Sequence, residues 1–396
     1  MVGAEMRRRD NPYTPGSGRT PHTLAGRDDE LTRFRSLLEG LRNGNPEPSL
    51  IYTGLRGVGK TALLGELDIV ATEAGWATTD VREMGTKAEP RAVFTSMALS
   101  LVVTMGRRYG DTGRIDSALN VVKGFADAGS GSPERNVARG SALGLADSGD
   151  LGQDLAALVR EIGRVARDCG TGALLVFDEM QCLDADALAT IGAAFQAVSR
   201  TGLPVALVGA GQPNLRASFL AAKPYADRLF TYAELGGLSE MAARSALIAP
   251  AAAAGITYDE AVVGEVVNDA AGLPHLIQVY GSELWNFADA PRITMADLEA
   301  ARVLVRDALA RGFFGTRLDL GTGAEQRYLS AMASLGPGPY PVAAVALAFG
   351  VEDQRRVSVH RDALMHKGLI WSPRRGQVDF TVPLMAEFLK ETPSIV

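Results

Sequence analysis

Gly54-Leu55-Arg56-Gly57-Val58-Gly59-Lys60-Thr61 is the stretch around which the chain is organised. It has the form G-x-x-x-x-G-K-T. An apolar run, Ser49 to Thr53, precedes it and reads as a buried strand, and Ala62-Leu63-Leu64-Gly65-Glu66-Leu67 follows with helical spacing. Strand, glycine loop and helix in that order make a phosphate cradle. Gly54, Gly57 and Gly59 let backbone N–H groups turn inward around phosphate oxygens. The helix that starts near Lys60 points its positive end at the same anion. Lys60 adds a full charge, and the Thr61 hydroxyl is a ligand for Mg²⁺. The expected cofactors are ATP and Mg²⁺. All eight residues are candidate contacts: Gly54, Leu55, Arg56, Gly57, Val58, Gly59, Lys60 and Thr61.

The 396 residues are too many for one ordinary core, so several domains are expected. A hydrophobic content of 46% with 22% charged residues is that of a water-soluble globular chain. No apolar run approaches the ~20 residues that span a bilayer, so no membrane partner is expected. Met1 to Asp10 is charged and lacks an apolar core, which argues against a secretory signal. Cys169 and Cys182 make neither a disulfide framework nor a zinc site, and suit a reducing cytoplasm. The net charge of −6 offers no global attraction for nucleic acid, so any such attraction is local.

Taken in order, residues 1–20 are rich in Arg, Pro, Gly and Ser and read as a flexible arm. Residues 21–237 alternate strand and helix. The strand patterns lie at Ser49–Thr53, Ala77–Val81, Ala173–Glu179, Pro204–Gly209 and Leu229–Leu235. The continuous hydrophobicity of the run from Ala173 predicts burial on both faces, as in a parallel sheet, while Ala77–Val81 alternates; strand and helix alternate throughout, hence α/β with a doubly wound sheet. Within them, residues 124–150 are rich in Gly, Ser and Ala and read as a loosely ordered insertion. Residues 238–321 carry helical patterns without a strand pattern, and read as an all-α domain in which Thr294 caps a helix. Residues 322–396 show three helices and a hairpin, Leu369–Trp371 with Val378–Val382, the plan of a winged helix-turn-helix.

Asp178 and Glu179 end an apolar strand, where a doubly wound sheet gathers its ligands. Asp178 is then placed to hold Mg²⁺ and Glu179 to polarise the attacking water. With these motifs in this order the chain resembles an AAA+ P-loop ATPase. It is most similar to the origin-recognition/initiator-like group and to the signal-transducing STAND branch. The resemblance implies an AAA+ parallel-sheet domain, an all-α lid domain and a C-terminal winged helix-turn-helix. It also implies further roles: Arg27 in the adenine-side entry motif Leu24-Ala25-Gly26-Arg27-Asp28, Gln212 as the first sensor, and Arg228 as the arginine that reaches a neighbouring subunit's γ-phosphate on self-association. His275, after Gly272-Leu273-Pro274, stands where many relatives carry an arginine in the second-sensor helix. A neutral imidazole does not replace a bidentate guanidinium, which puts efficient hydrolysis in question.

Three readings compete. The first is a nucleotide-controlled ATPase associated with double-stranded DNA through Arg355, Arg356 and Arg361 near the third helix of the winged region and Arg374 and Arg375 at its wing. Glu352, Asp353, Asp362, Asp379, Glu387 and Glu391 nearly cancel those charges. The second is a STAND-like switch whose winged helix binds protein or locks the nucleotide without DNA. The third, a small-molecule kinase, explains neither Asp178-Glu179 nor the helical tail. A GTPase is disfavoured because no Asn-Lys-x-Asp motif occurs.

Overall fold

A computed structural model describes residues 10–16, 24–83, 89–110, 113–128, 145–222, 230–315, 318, 321–382 and 384–391. The chain opens with helix α1 (Asp28–Arg42), whose Phe34, Leu37, Leu38 and Leu41 are buried at helical spacing. Strand β1 (Ser49–Thr53) leads through the glycine loop into α2 (Lys60–Glu73). Two short edge strands follow, β2 (Ala77–Thr78) and β3 (Arg82–Glu83), then α3 (Pro90–Tyr109), α4 (Arg114–Asp127) and α5 (Leu151–Asp168). β4 (Ala173–Asp178), α6 (Ala185–Ser199), β5 (Val205–Gly211), α7 (Leu215–Ala222) and β6 (Phe230–Glu234) complete the first domain.

The strands pair in parallel in the order β2-β4-β5-β1-β6, with β3 also on β4. Alternate side chains of the central strands enter two separate apolar clusters. Leu50, Tyr52, Leu174, Val176, Ala206 and Val208 face one way, and Ile51, Leu175, Phe177 and Leu207 face the other. Burial on both faces is why these strands read as continuous apolar runs. The expected strand at Ala77–Val81 is shorter than its pattern, because β2 and β3 each hold only two residues of the sheet edge. The region expected as a loose insertion starts inside α4, which runs to Asp127 and buries Val121, Val122 and Phe125. It ends in an ordered turn where Asp154 accepts from Ser148 N, Ser148 Oγ and Gly149 N. Its centre lies outside the described residues.

α8 (Glu240–Ala253), α9 (Glu260–Ala270), α10 (Pro274–Phe287) and α11 (Met295–Leu309) form a helical layer beside the glycine loop. Thr294 and Asp297 cap α11 reciprocally. A two-residue parallel pair, β7 (Thr257–Tyr258) with β8 (Arg292–Ile293), departs from the strand-free reading of this layer. The expected flexible arm is docked where it is described. Tyr13 is buried against Gly281 and Trp285, its hydroxyl donates to Leu247 O, and Asn11 donates to Ser282 and Asn286. One aromatic anchor outweighs the polar composition around it.

The last domain holds α12 (Gly323–Ser334), β9 (Tyr340–Pro341), α13 (Val342–Phe349), α14 (Ser358–His366), β10 (Ile370–Trp371), β11 (Gln377–Phe380) and α15 (Met385–Glu391). Its strands form an antiparallel sheet in the order β10-β11-β9. The third helix of this region is α14, and a 3₁₀ turn, Gln354–Val357, precedes it. No helix among the described residues is long and apolar enough to cross a membrane.

Candidate nucleotide site

The site stands at the carboxyl ends of β1, β4 and β5. Gly54 N donates to Gly211 O at 3.2 Å, so the loop begins tied to the tip of β5. A Cβ on Gly54 would lie 2.5 Å from the Leu235 carbonyl oxygen, which excludes any side chain there. Gly57 and Gly59 have φ of 82° and 90°, in the left-handed region that glycine enters without cost. Arg27, only 5% exposed, donates to the carbonyls of Val58 and Gly236, both at 2.8 Å. Its guanidinium therefore clamps the loop to the segment after β6.

Lys60 is 7% exposed, and Nζ donates to the carbonyls of Gly54 and Leu55, both at 2.9 Å. Burial pulls its pKa down to about 8, against the opposing attraction of Glu179 and Asp178. Thr61 Oγ1 donates to Asp178 Oδ2 at 2.5 Å, and Asp178 Oδ1 accepts from Glu179 N at 2.8 Å. Burial pushes the Asp178 carboxyl above its ordinary value, while those two hydrogen bonds pull it back. A half-buried hydroxyl and a buried carboxylate in contact form the hard oxygen pair that suits Mg²⁺.

Glu179 has φ of 52°, a conformation that costs a non-glycine residue roughly 1–3 kcal/mol and gathers at functional sites. It turns the chain from β4 into the 3₁₀ turn Met180–Cys182. Its Oε2 accepts from Gln181 Nε2, and Arg56 Nη1 stands 3.9 Å from its Oε1. Gln181 Oε1 accepts from Gln212 N at 2.9 Å, and Gln212 is buried. His275 N donates to Gly57 O at 3.2 Å, so the first turn of α10 meets the loop. The structure thus gathers Gly54–Thr61, Arg27, Asp178, Glu179, Gln212 and His275 at one place. Arg228 lies outside the described residues.

Residues 23–208 match the family described as "AAA ATPase domain". The chain carries an AAA ATPase domain. Residues 311–389 match a domain of unknown function, DUF8462. The chain is similar in structure to the Walker-type ATPase of Pyrococcus abyssi, with a TM-score of 0.60, 14% identity, and coverage of 93% of this chain and 96% of that one. It also matches the Aeropyrum pernix Orc1 protein in complex with DNA, with a TM-score of 0.47, 19% identity and 94% of each chain covered. The Thermotoga maritima RuvB Holliday junction branch migration motor gives 0.47 and 15%, over 92% and 95%. No curated protein matches in sequence. The Pyrococcus likeness bears on fold alone, and that fold is the parallel-sheet α/β fold of AAA+ ATPases.

Three residues at this place escaped the sequence reading. Gln181 was in plain view two residues after Glu179, and a polar side chain in a tight turn beside a catalytic-type acid was the available signal. Thr381 and Gly368 carried none. Thr381 O accepts from Arg56 N at 3.1 Å, and a Cβ on Gly368 would lie 2.6 Å from Gln212 Nε2. These contacts join positions far apart in the sequence. In the same last domain, Arg355, Arg356, Arg374 and Arg375 are exposed. Arg355 pairs with Asp353 at 3.0 Å and Arg361 with Asp362 at 2.8 Å. A groove of about 500 Å³ between α14 and the hairpin is lined by Arg355, Arg361, Asp362, Arg375 and Gln377 among others. Lys367 is spent inside the domain, on Glu325 at 2.6 Å.

Proposed function

We propose that the chain is a Mg²⁺-dependent ATPase that works as a nucleotide-controlled switch. The observation that carries this reading is the contact between Thr61 and Asp178 beside the buried Lys60. Gly54–Thr61 hold the phosphates, and Thr61 and Asp178 hold Mg²⁺. The metal's contribution is to neutralise charge on the phosphates. Lys60 orients the terminal phosphates and Glu179 polarises the water. Gln212 and His275 sense the nucleotide from β5 and α10, and Arg228 serves a neighbouring copy. Isothermal titration of ATP with the wild type and Lys60→Ala tests it. Affinity is expected to fall at least tenfold, a loss of ~1.4 kcal/mol. Unchanged affinity removes the assignment.

The last domain, read as a winged helix, supplies the switch's output. One reading is DNA association. Exposed Arg355, Arg356, Arg374 and Arg375 support it, with Arg361 beside them, and Asp353 and Asp362 oppose it. The second reading is a lock on the nucleotide site, and a specific observation favours it: Thr381 O holds the phosphate-loop backbone at Arg56. DNA binding measured with ATP, with ADP and without nucleotide separates them. Binding at low salt supports the first, and its complete absence leaves the lock.

A further inference from the structure

Two contacts cross from the last domain to the nucleotide site, and each leads to one oxygen of Glu179. The first begins at Thr381, which is fully buried. Its hydroxyl donates to Gly368 O at 2.6 Å and to Leu369 O at 3.0 Å, so its own domain sets its place. Its carbonyl accepts from Arg56 N at 3.1 Å. The Arg56 guanidinium then stands 3.9 Å from Glu179 Oε1, with its Nε buried and without a hydrogen-bond partner. The second contact begins at Gly368, whose φ of 66° brings its backbone against the Gln212 side chain. Gln212 N donates to Gln181 Oε1, and Gln181 Nε2 donates to Glu179 Oε2.

One carboxylate oxygen therefore accepts from Gln181 and the other faces the Arg56 guanidinium, away from the task of polarising a water. We infer that docking of the last domain stows Glu179, with Arg56 and Gln181 as the positioning residues. The last domain then governs the hydrolytic step itself, beyond governing access to the nucleotide. This rests on the reading of Glu179 as the water-activating group and of the last domain as a lock.

The experiment is steady-state ATP turnover of the full chain with Mg²⁺, resolving kcat from KM, for Arg56→Ala, Arg56→Lys, Gly368→Asn and the Arg56→Ala/Gly368→Asn pair. Asparagine tolerates the positive φ at Gly368 while driving a side chain into Gln212. Arg56→Ala and Gly368→Asn are each expected to raise kcat about threefold or more, and the pair no further than the larger single effect, because both open one device. Arg56→Lys keeps a cation near Oε1, and its kcat is expected to rise less than that of Arg56→Ala. If Gly368→Asn does not fold, Gln181→Ala takes its place, with the same expected rise. A kcat that rises with Gly368→Asn but not with Arg56→Ala overturns the inference and leaves the lock standing. A kcat unmoved or lowered by both, with Glu179→Gln inactive, overturns both while leaving Glu179 in its role.

Discussion

At the scale of the residue, the roles proposed for Lys60 and Glu179 both make predictions. Lys60 titrates near pH 8 because burial strips water from its ammonium group. Bound phosphate restores the charged form. Above pH 8 the free site has given up its proton and the occupied site regains it, so nucleotide binding takes up a proton and weakens as pH rises. Titration calorimetry at about pH 9 in buffers of different ionisation enthalpy is expected to show this uptake, which vanishes in Lys60→Met. The sign for folding is opposite to that of a lysine gaining a partner. Between about 8 and the ordinary value of 10.5 the unfolded chain binds more protons than the folded one, so stability rises with pH across that window. Glu179→Gln keeps the size and removes the charge. It is expected to retain ATP binding while turnover falls about 10²-fold or more, checked by paired calorimetry and phosphate release.

At the scale of the element, the ion pair between Arg91 and Asp154 ties α3 to α5. Their side chains are 8% and 1% exposed, and Nη2 lies 3.0 Å from Oδ2. Arg91 also donates to Phe125 O and lies over the Phe125 ring, which brings in α4. Asp154→Asn leaves the Arg91 cation buried and uncompensated. Breaking such a pair costs about 3–5 kcal/mol, so a marked drop in the thermal unfolding midpoint is expected. A midpoint within experimental scatter of the wild type would show that water reaches Arg91. α4 itself was not anticipated, although its Ile115, Ala118, Val121, Val122 and Phe125 are buried at helical spacing. The glycine- and serine-rich composition that follows obscured that spacing.

At the scale of the whole molecule, the question is what the last domain meets. If it meets DNA, Arg374 and Arg375 at the hairpin contact phosphate, because adjacent exposed cations suit backbone positioning better than base reading. Replacing both by Ala is expected to weaken binding to all duplexes alike and to flatten its salt dependence by ~0.9 in log–log slope per lost contact. Fluorescence anisotropy across salt concentrations measures both. A loss confined to one DNA sequence would move these residues from phosphate to base contact. α14 meets a limit of a different kind, because Lys367 is committed to Glu325 and Arg361 to Asp362.

The octapeptide Gly54–Thr61, the paired acids 178 and 179 and the apolar runs of the central strands were legible in the chain alone. Each is local: a loop conformation needs its glycines, and a strand buried on two faces must be apolar throughout. The same locality made the Thr294 cap readable. The docking of Tyr13 into the helical layer, the commitment of Arg27 to the carbonyls of Val58 and Gly236, and the approach of Arg56 to Glu179 were decided only by the tertiary structure. These are contacts of charged and polar side chains whose partners lie in other elements, and neither spacing nor composition specifies which partner comes near. The contact of Thr381 with Arg56 shows this most plainly. It is made by two backbone groups that every residue type shares, so the packing of the last domain on the first, and no side chain, determines it.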